Sequence, residues 1–172
     1  MRRLVLVLGV AMLLLLVGCG RRRVVVVNGG GGGGAVVQTF GGAPNFGYVN
    51  LPSGFMPDPQ VAGGRAGGQY QAASLGGNCR GFISMNPDHV VQTGTGFQFF
   101  RVFVRSNIDT TLVIRDPQGQ IYCNDDGGGG LNPMIENTYW MPGNYEIWVG
   151  TYNSRDYGAP HQIYFTELPH VM

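Results

Sequence analysis

The chain has 172 residues, and charged residues make up 12% of them, about half of the usual share of about 25%. All eleven basic residues are arginines, which excludes P-loop, Schiff-base and Ser-Lys chemistry, since each of these needs a lysine. The formal net charge of +1 lacks the basic excess of nucleic-acid-binding proteins, so no nucleic-acid partner is expected. The length allows one ordinary domain.

Residues 1–18 are predicted to be a signal peptide. Two arginines precede an almost unbroken apolar run from Leu4 to Val17. This run is shorter than the roughly 20 residues that a membrane-spanning helix needs. A positive start, an apolar run and a small residue at the break are typical of a cleaved export signal.

The end of this segment, Leu16-Val17-Gly18-Cys19, resembles the lipobox of bacterial lipoproteins. The resemblance implies that Cys19 becomes the acylated first residue, carrying palmitate or a related chain, and that the membrane is a partner through this anchor. Gly20, where such proteins carry Asp for inner-membrane retention, implies the outer membrane of the cell envelope. The alternative is an ordinary signal peptide with an incidental cysteine.

Residues 19–74 are expected to form a disordered Gly/Pro-rich tether. Seventeen of the 30 glycines lie between residues 20 and 77. Ordering such a segment costs much backbone entropy, and its composition offers little apolar surface in return.

Residues 75–172 are predicted to be all-β, an antiparallel β-sandwich or jelly-roll-like domain. The alternation is clearest where Tyr145, Ile147 and Val149 face opposite to Glu146 and Trp148. Short runs rich in β-branched and aromatic residues, separated by turn residues, predict eight strands. They lie near Gly81–Ser84, Val90–Gln92, Phe97–Arg105, Thr111–Arg115, Ile121–Cys123, Met134–Tyr139, Asn144–Tyr152 and His161–Leu168.

Cys79 and Cys123 remain as an even pair once Cys19 is assigned to the lipid. In an exported chain such a pair favours a disulfide over two free thiols. A zinc site is less favoured, because two cysteines and three scattered histidines lack ligand spacing.

Two segments resemble the bacterial pre-peptidase C-terminal domain. One runs from Asp109 to Gly119, with a D-x-x-L strand and a D-P-x-G turn, and the other from Pro142 to Gly150. The resemblance covers roughly residues 80–168. It implies a β-sandwich that serves as a non-catalytic appendage of exported proteins, and some relatives bind collagen or Ca²⁺.

An acidic, glycine-rich loop is the strongest candidate site. Carboxylate and amide oxygens of this kind suit Ca²⁺, although the spacing is not that of an EF-hand. The alternative is a solvated acidic loop. The candidate ligands, with two aspartates from neighbouring loops, are Asn124, Asp125, Asp126, Asn132, Asp109 and Asp116. No cofactor is required by the sequence, and Ca²⁺ is the ion this set would take.

Trp148 and Tyr152 are the candidate ligand-binding aromatics, because an exposed sheet face with large rings suits a sugar or a partner protein. The alternative places Trp148 in the core.

His89, His161 and His170 are expected at surface turns, and no nucleophile–base or metalloprotease motif accompanies them. The sequence therefore predicts a non-enzymatic envelope module that binds a protein or a glycan; the alternative is a secreted hydrolase or protease-associated module with an unrecognised active site.

Overall fold

The structure, a computed structural model, describes residues 23–27, 36–76 and 78–172. The predicted signal peptide and Cys19 lie outside these residues. Two short 3₁₀ turns, Ala72–Ser74 and Ser154–Asp156, accompany the strands. The strands are β1 (Arg23–Val27), β2 (Val36–Phe40), β3 (Tyr48–Asn50), β4 (Gln60–Arg65), β5 (Tyr70–Gln71), β6 (Phe82–Ile83), β7 (His89–Thr93), β8 (Phe100–Arg105), β9 (Thr110–Arg115), β10 (Ile121–Asn124), β11 (Met134–Asn137), β12 (Gly143–Thr151) and β13 (Pro160–Thr166).

The strands from β3 to β13 form a sandwich of two sheets, which confirms the predicted all-β class. β1 and β2 pair with each other in a separate two-stranded sheet. One sheet has the order β10-β9-β12-β6-β5, with β7 also paired to β12 and β3 to β7. The other has the order β11-β8-β13-β4. All pairs are antiparallel except β3 with β7. All eight predicted strands are present, most with ends shifted by one to three residues.

The main core fills the space between the two sheets. β12 contributes Tyr145, Ile147 and Val149, as the alternation predicted, and β9 contributes Leu112 and Ile114. The facing sheet supplies Phe100, Val102, Val104, Ile163 and Phe165. Each such side chain, once fully buried, contributes about 1.5–3 kcal/mol relative to an exposed position.

A second apolar cluster covers the outer face of the larger sheet. Trp148 is its largest member and is fully buried, with no accessible surface. Arg115 lies over the Trp148 ring at 5.2 Å, forms an ion pair with Glu146 and donates to the Phe40 carbonyl at 3.2 Å. The prediction that Trp148 binds a ligand is therefore wrong, because a covering layer of chain seals this face.

That covering layer includes part of the predicted tether. Residues 39–74 belong to the sandwich, so the expectation of a disordered tether over 19–74 is wrong for this part. β3 pairs with β7 and β4 pairs with β13 over six residues. The segment also buries apolar side chains, which are Phe40, Leu51, Phe55, Ala66 and Ala72.

Several of its glycines serve close packing. A Cβ at Gly64 would lie 2.6 Å from Cδ2 of Phe46 and 2.8 Å from Cε1 of His161. A Cβ at Gly68 would overlap the carbonyl group of Ile83. Glycine is required at both positions, because the Phe46 and His161 side chains at Gly64 and the Ile83 backbone at Gly68 leave no room for a Cβ atom.

The predicted disulfide between Cys79 and Cys123 is confirmed. The two Cα atoms are 5.2 Å apart and 44 residues separate them in sequence. The bond joins the loop before β6 to β10 at the edge of the larger sheet. It thereby fixes the layer that covers Trp148.

Candidate functional site

The strand register sorts the candidate residues to two opposite ends of the larger sheet. β9 starts after Asp109 and ends before Asp116, and both neighbouring strands run antiparallel to it. The end of β12 therefore meets the start of β9, where the Tyr152 amide donates to the Asp109 carbonyl at 3.0 Å. We call these the acidic end, at Asp109, and the aromatic end, at Asp116.

The acidic end carries an open pocket of about 480 Å³. It brings together four of the predicted site residues, which are Asp109, Asp125, Asp126 and Tyr152, and adds Arg80 and Leu131. Tyr152 is 40% exposed. Arg80 is not among the residues predicted from the sequence. Its Nε lies 3.8 Å from Asp125 Oδ2, although the two residues are 45 positions apart.

Negative charge is crowded in this acidic pocket. Burial raises the pKa of the Asp109 carboxyl, and the charges of Asp126, Asp125 and Asp156 raise that pKa further. One oxygen of Asp109, Oδ1, is buried and accepts no hydrogen bond from the described residues. Since like charges disfavour ionisation, a cation placed here would relieve the repulsion.

The other predicted calcium ligands are used elsewhere. Asn124 Oδ1 accepts from the amides of Gly127 and Met134, which holds the loop closed. Asn132 bridges Ser106 to Thr110. Their oxygens are thus occupied within the fold. Among the residues the structure describes, no group of three or more His, Cys, Asp or Glu side chains is arranged to hold a metal ion.

Asp116 lies at the aromatic end and does not join the acidic pocket. Its Oδ1 accepts from the amides of Gln118 and Gln120 at 2.9 and 2.8 Å, and the Gly119 amide closes the predicted turn on its carbonyl. Asp116 also lines a small pocket of about 40 Å³. The remaining lining residues are Tyr122, Asn137, Tyr139, Trp140, Met141 and Tyr145.

Two histidines expected at surface turns are instead buried, so that expectation is wrong for both. His89 is 0% and His161 is 4% exposed, and their rings lie 5.9 Å apart between the two sheets. Phe46 packs against both rings. None of the four ring nitrogens has a hydrogen-bond partner among the described residues. Burial lowers the pKa of each histidine to about 4, so both are neutral at pH 7.

Asp88 lies beside this pair but faces other partners. Its Oδ1 accepts from Asn45 at 3.0 Å and from Ser84, and its Oδ2 accepts from the Val149 amide at 2.7 Å. Burial raises the pKa of Asp88 to about 7, against the lowering effect of these donors. The carboxyl thus ties β12 to the loop before β3.

Solved structures with a similar fold include two bacterial β domains. The pre-peptidase C-terminal domain of a collagenase from Bacillus anthracis has 11% identity and a TM-score of 0.43, covering 73% of this chain and 97% of that one. A periplasmic inhibitor of g-type lysozyme, PliG of Aeromonas hydrophila, has 14% identity and a TM-score of 0.36, covering 69% and 96%. These likenesses concern the fold and assign no activity or partner to this chain.

No protein-family model matches the sequence, and no curated protein is similar enough to count as a relative. Within the described part of the chain, no helix has the length and apolar character to cross a membrane.

Proposed function

We propose that this chain is a non-catalytic binding module of the bacterial cell envelope, anchored by lipid at Cys19. In this proposal the acidic pocket receives a cationic group of a partner protein or glycan. The observation that carries it is the meeting of three carboxylates, Asp109, Asp125 and Asp126, in one pocket. Oδ1 of Asp109 is buried there without a hydrogen-bond partner among the described residues, and Arg80 is the one neighbouring cation in the described pocket.

Two features support binding rather than catalysis. The buried histidines lie between the sheets, away from the residues that line the acidic pocket. The exposed ring of Tyr152 beside the carboxylates suits contact with the aliphatic stem and charged head of an Arg or Lys side chain.

The anchor is tested by Cys19→Ser in the full chain. The hydroxyl cannot take the thioether-linked lipid, so the protein should leave the membrane fraction or persist as an uncleaved precursor. Membrane fractionation with detection of the bound lipid measures this. Unchanged membrane association without lipid would contradict the anchor but leave the pocket proposal standing.

The pocket is tested by retention of solubilised envelope material on the immobilised full chain at increasing salt. Asp125→Asn combined with Asp126→Asn should weaken retention and flatten its salt dependence, because attraction between charges is screened by salt. Asp116→Asn, the same change at the opposite end, is the matched control. Equal loss in the control would place the binding elsewhere.

Ca²⁺ is a second candidate for the cation, favoured by the same crowding of carboxylates. Binding to the folded state alone must raise stability. A higher melting temperature in Ca²⁺ than in EGTA, abolished by Asp125→Asn with Asp126→Asn, would identify it. An unchanged melting temperature would leave the partner's own charge as the ligand.

A further inference from the structure

The hairpin of β1 and β2 is the described segment nearest to Cys19. Its strands form a separate two-stranded sheet, in which Arg23 lies directly opposite Phe40. Residues that face each other in an antiparallel pair have Cα atoms about 5 Å apart. Phe40 itself belongs to the sandwich, since its side chain is fully buried and its ring packs edge-on against Tyr70 with the centroids 5.6 Å apart. The pairing therefore fixes the start of β1 beside the sandwich.

This pairing limits the distance between the proposed lipid anchor and the sandwich. Arg23 is the fourth residue after Cys19, and four residues span at most about 14 Å even when fully extended. Cys19 therefore lies within about 20 Å of Phe40. Without the pairing, the 21 residues that follow Cys19 up to Phe40 could span about 70 Å. Acylation of Cys19 consequently brings the hairpin and the sandwich close to the bilayer.

The composition of the hairpin suits the interface of a bilayer. Valine supplies four of the five residues of β1 and two of the five residues of β2. A two-stranded hairpin alone is marginally stable in water and needs further apolar contact. Unpaired strand edges are not tolerated in the hydrocarbon core, so the level of the headgroups is the depth at which such a hairpin gains this contact.

Positive charge stands between the anchor and the hairpin. Arg21, Arg22 and Arg23 are consecutive, and the first acidic residue of the chain is Asp58. One arginine beside an anionic bilayer strengthens binding about fivefold, and three strengthen it about 100-fold. Anionic lipid is therefore the partner of complementary charge, whereas a second copy of this chain would bring three like charges to the same place.

We propose that the hairpin of β1 and β2 docks on the anionic surface of the bilayer that carries the anchor and holds the sandwich against that surface. This inference rests on the proposed acylation of Cys19. It adds a second membrane contact, made by the protein itself, and replaces a long flexible connection with a short one.

A single spin label can report on the hairpin. Cys19 carries the lipid in this proposal and the other two cysteines form the disulfide, so an added cysteine is the one thiol open to labelling. Val26→Cys places a nitroxide in β1. Val61→Cys is the matched control, because Val61 is 40% exposed and lies on β4 of the four-stranded sheet, on the other side of the sandwich.

The test uses the full chain, purified from membranes with its lipid and placed in vesicles of phosphatidylethanolamine and phosphatidylglycerol. Power saturation compares collisions of the nitroxide with oxygen, which concentrates in lipid, and with a water-soluble nickel chelate. We expect the ratio of oxygen to nickel collisions to be several-fold higher at position 26 than at position 61.

Three results would overturn the inference. Equal ratios at the two positions would refute the docking and leave the acylation of Cys19 standing. Protein recovered without lipid would refute the acylation and the docking together. Spin–spin broadening at position 26 that dilution with unlabelled protein removes would assign the hairpin to a second copy instead of lipid.

The role of the arginines is tested by changing Arg21, Arg22 and Arg23 together to Gln. The ratio at position 26 should fall towards the ratio at position 61, because the attraction to phosphatidylglycerol is lost. The matched control makes the same change at three exposed arginines of the sandwich and should leave the ratio unchanged; these are Arg65, Arg80 and Arg155. An unchanged ratio in the first variant, or an equal fall in the control, refutes the role of the arginines.

Discussion

Acid should destabilise this protein through the two histidines buried between the sheets. In the unfolded chain each imidazole has an ordinary pKa of about 6.5, whereas burial lowers the folded-state pKa of His161 to about 4. As the pH falls below 6.5 the unfolded chain takes up a proton that the folded chain refuses, so stability falls until about pH 4. At pH 4.5 this effect amounts to about 2–3 kcal/mol for one histidine.

His161→Phe isolates this contribution, since phenylalanine keeps a ring against Phe46, which lies 6.3 Å from the His161 ring. Asp88 acts in the opposite direction, because a folded-state pKa raised to about 7 makes stability fall as the pH rises through 4–7. Comparing the two proteins cancels the Asp88 contribution.

Urea unfolding of both proteins at pH 7.5 and pH 4.5 measures the difference. The wild type should lose about 2–3 kcal/mol more than His161→Phe between these pH values. Parallel losses in the two proteins would refute the burial of an unpaired imidazole. If His161→Phe is already unfolded at pH 7.5, His89→Phe takes its place. The same difference is expected for His89→Phe, because burial lowers the pKa of His89 to about 4 as well.

Three further predictions concern the fold. Gly68→Ala should lower the free energy of unfolding in urea by about 1–3 kcal/mol, because its Cβ would overlap Ile83. Gly94→Ala, with open space around the added Cβ, should lower it much less. Equal losses in the two variants would contradict the close packing. Cys123→Ser should lower stability by about 3–4 kcal/mol by removing the constraint on the 44-residue loop, and an unchanged melting temperature would contradict this. Limited proteolysis should leave a stable fragment that begins before Phe40, because that side chain is fully buried. A stable fragment that begins at Leu75 would contradict this and support a domain of residues 75–172.

The positions of the strands could be predicted because their signal is local. In β12 the side chains alternate between the two faces, and turn residues such as Pro117 and Gly119 mark the ends of neighbouring strands. Trp148 was ambiguous for a related reason. Alternation shows that it faces opposite to Ile147, but only the tertiary structure shows that a second layer covers that face.

Composition misled most in the segment before Leu75. High glycine content was interpreted as disorder, yet Gly64 and Gly68 are positions where the chain packs too closely for a side chain. Its buried apolar residues, such as Leu51 and Phe55, are spaced irregularly and give no strand period. The distinction between a linker and a closely packed glycine segment depends on contacts far apart in sequence.

The candidate sites were predicted only in part for the same reason. Asp125 and Asp126 are adjacent, so the sequence indicated an acidic loop as a candidate site. The antiparallel register of β9 and β10 brings Asp109 to the same pocket. The aromatic pocket was missed as a unit. Its members come from three separate segments, and their proximity follows from the pairing of β9 with both β10 and β12.

Site-specific photo-crosslinking in the native cells would test the proposed binding function most directly. A photoreactive phenylalanine analogue replaces Tyr152 at the acidic pocket, or Tyr48, which is 61% exposed and outside that pocket, as the control. The proposed binding function predicts one discrete adduct from position 152 that disappears when Asp125→Asn and Asp126→Asn are added, and no such adduct from position 48. An adduct from position 152 that survives both substitutions, or no adduct from that position, would contradict it.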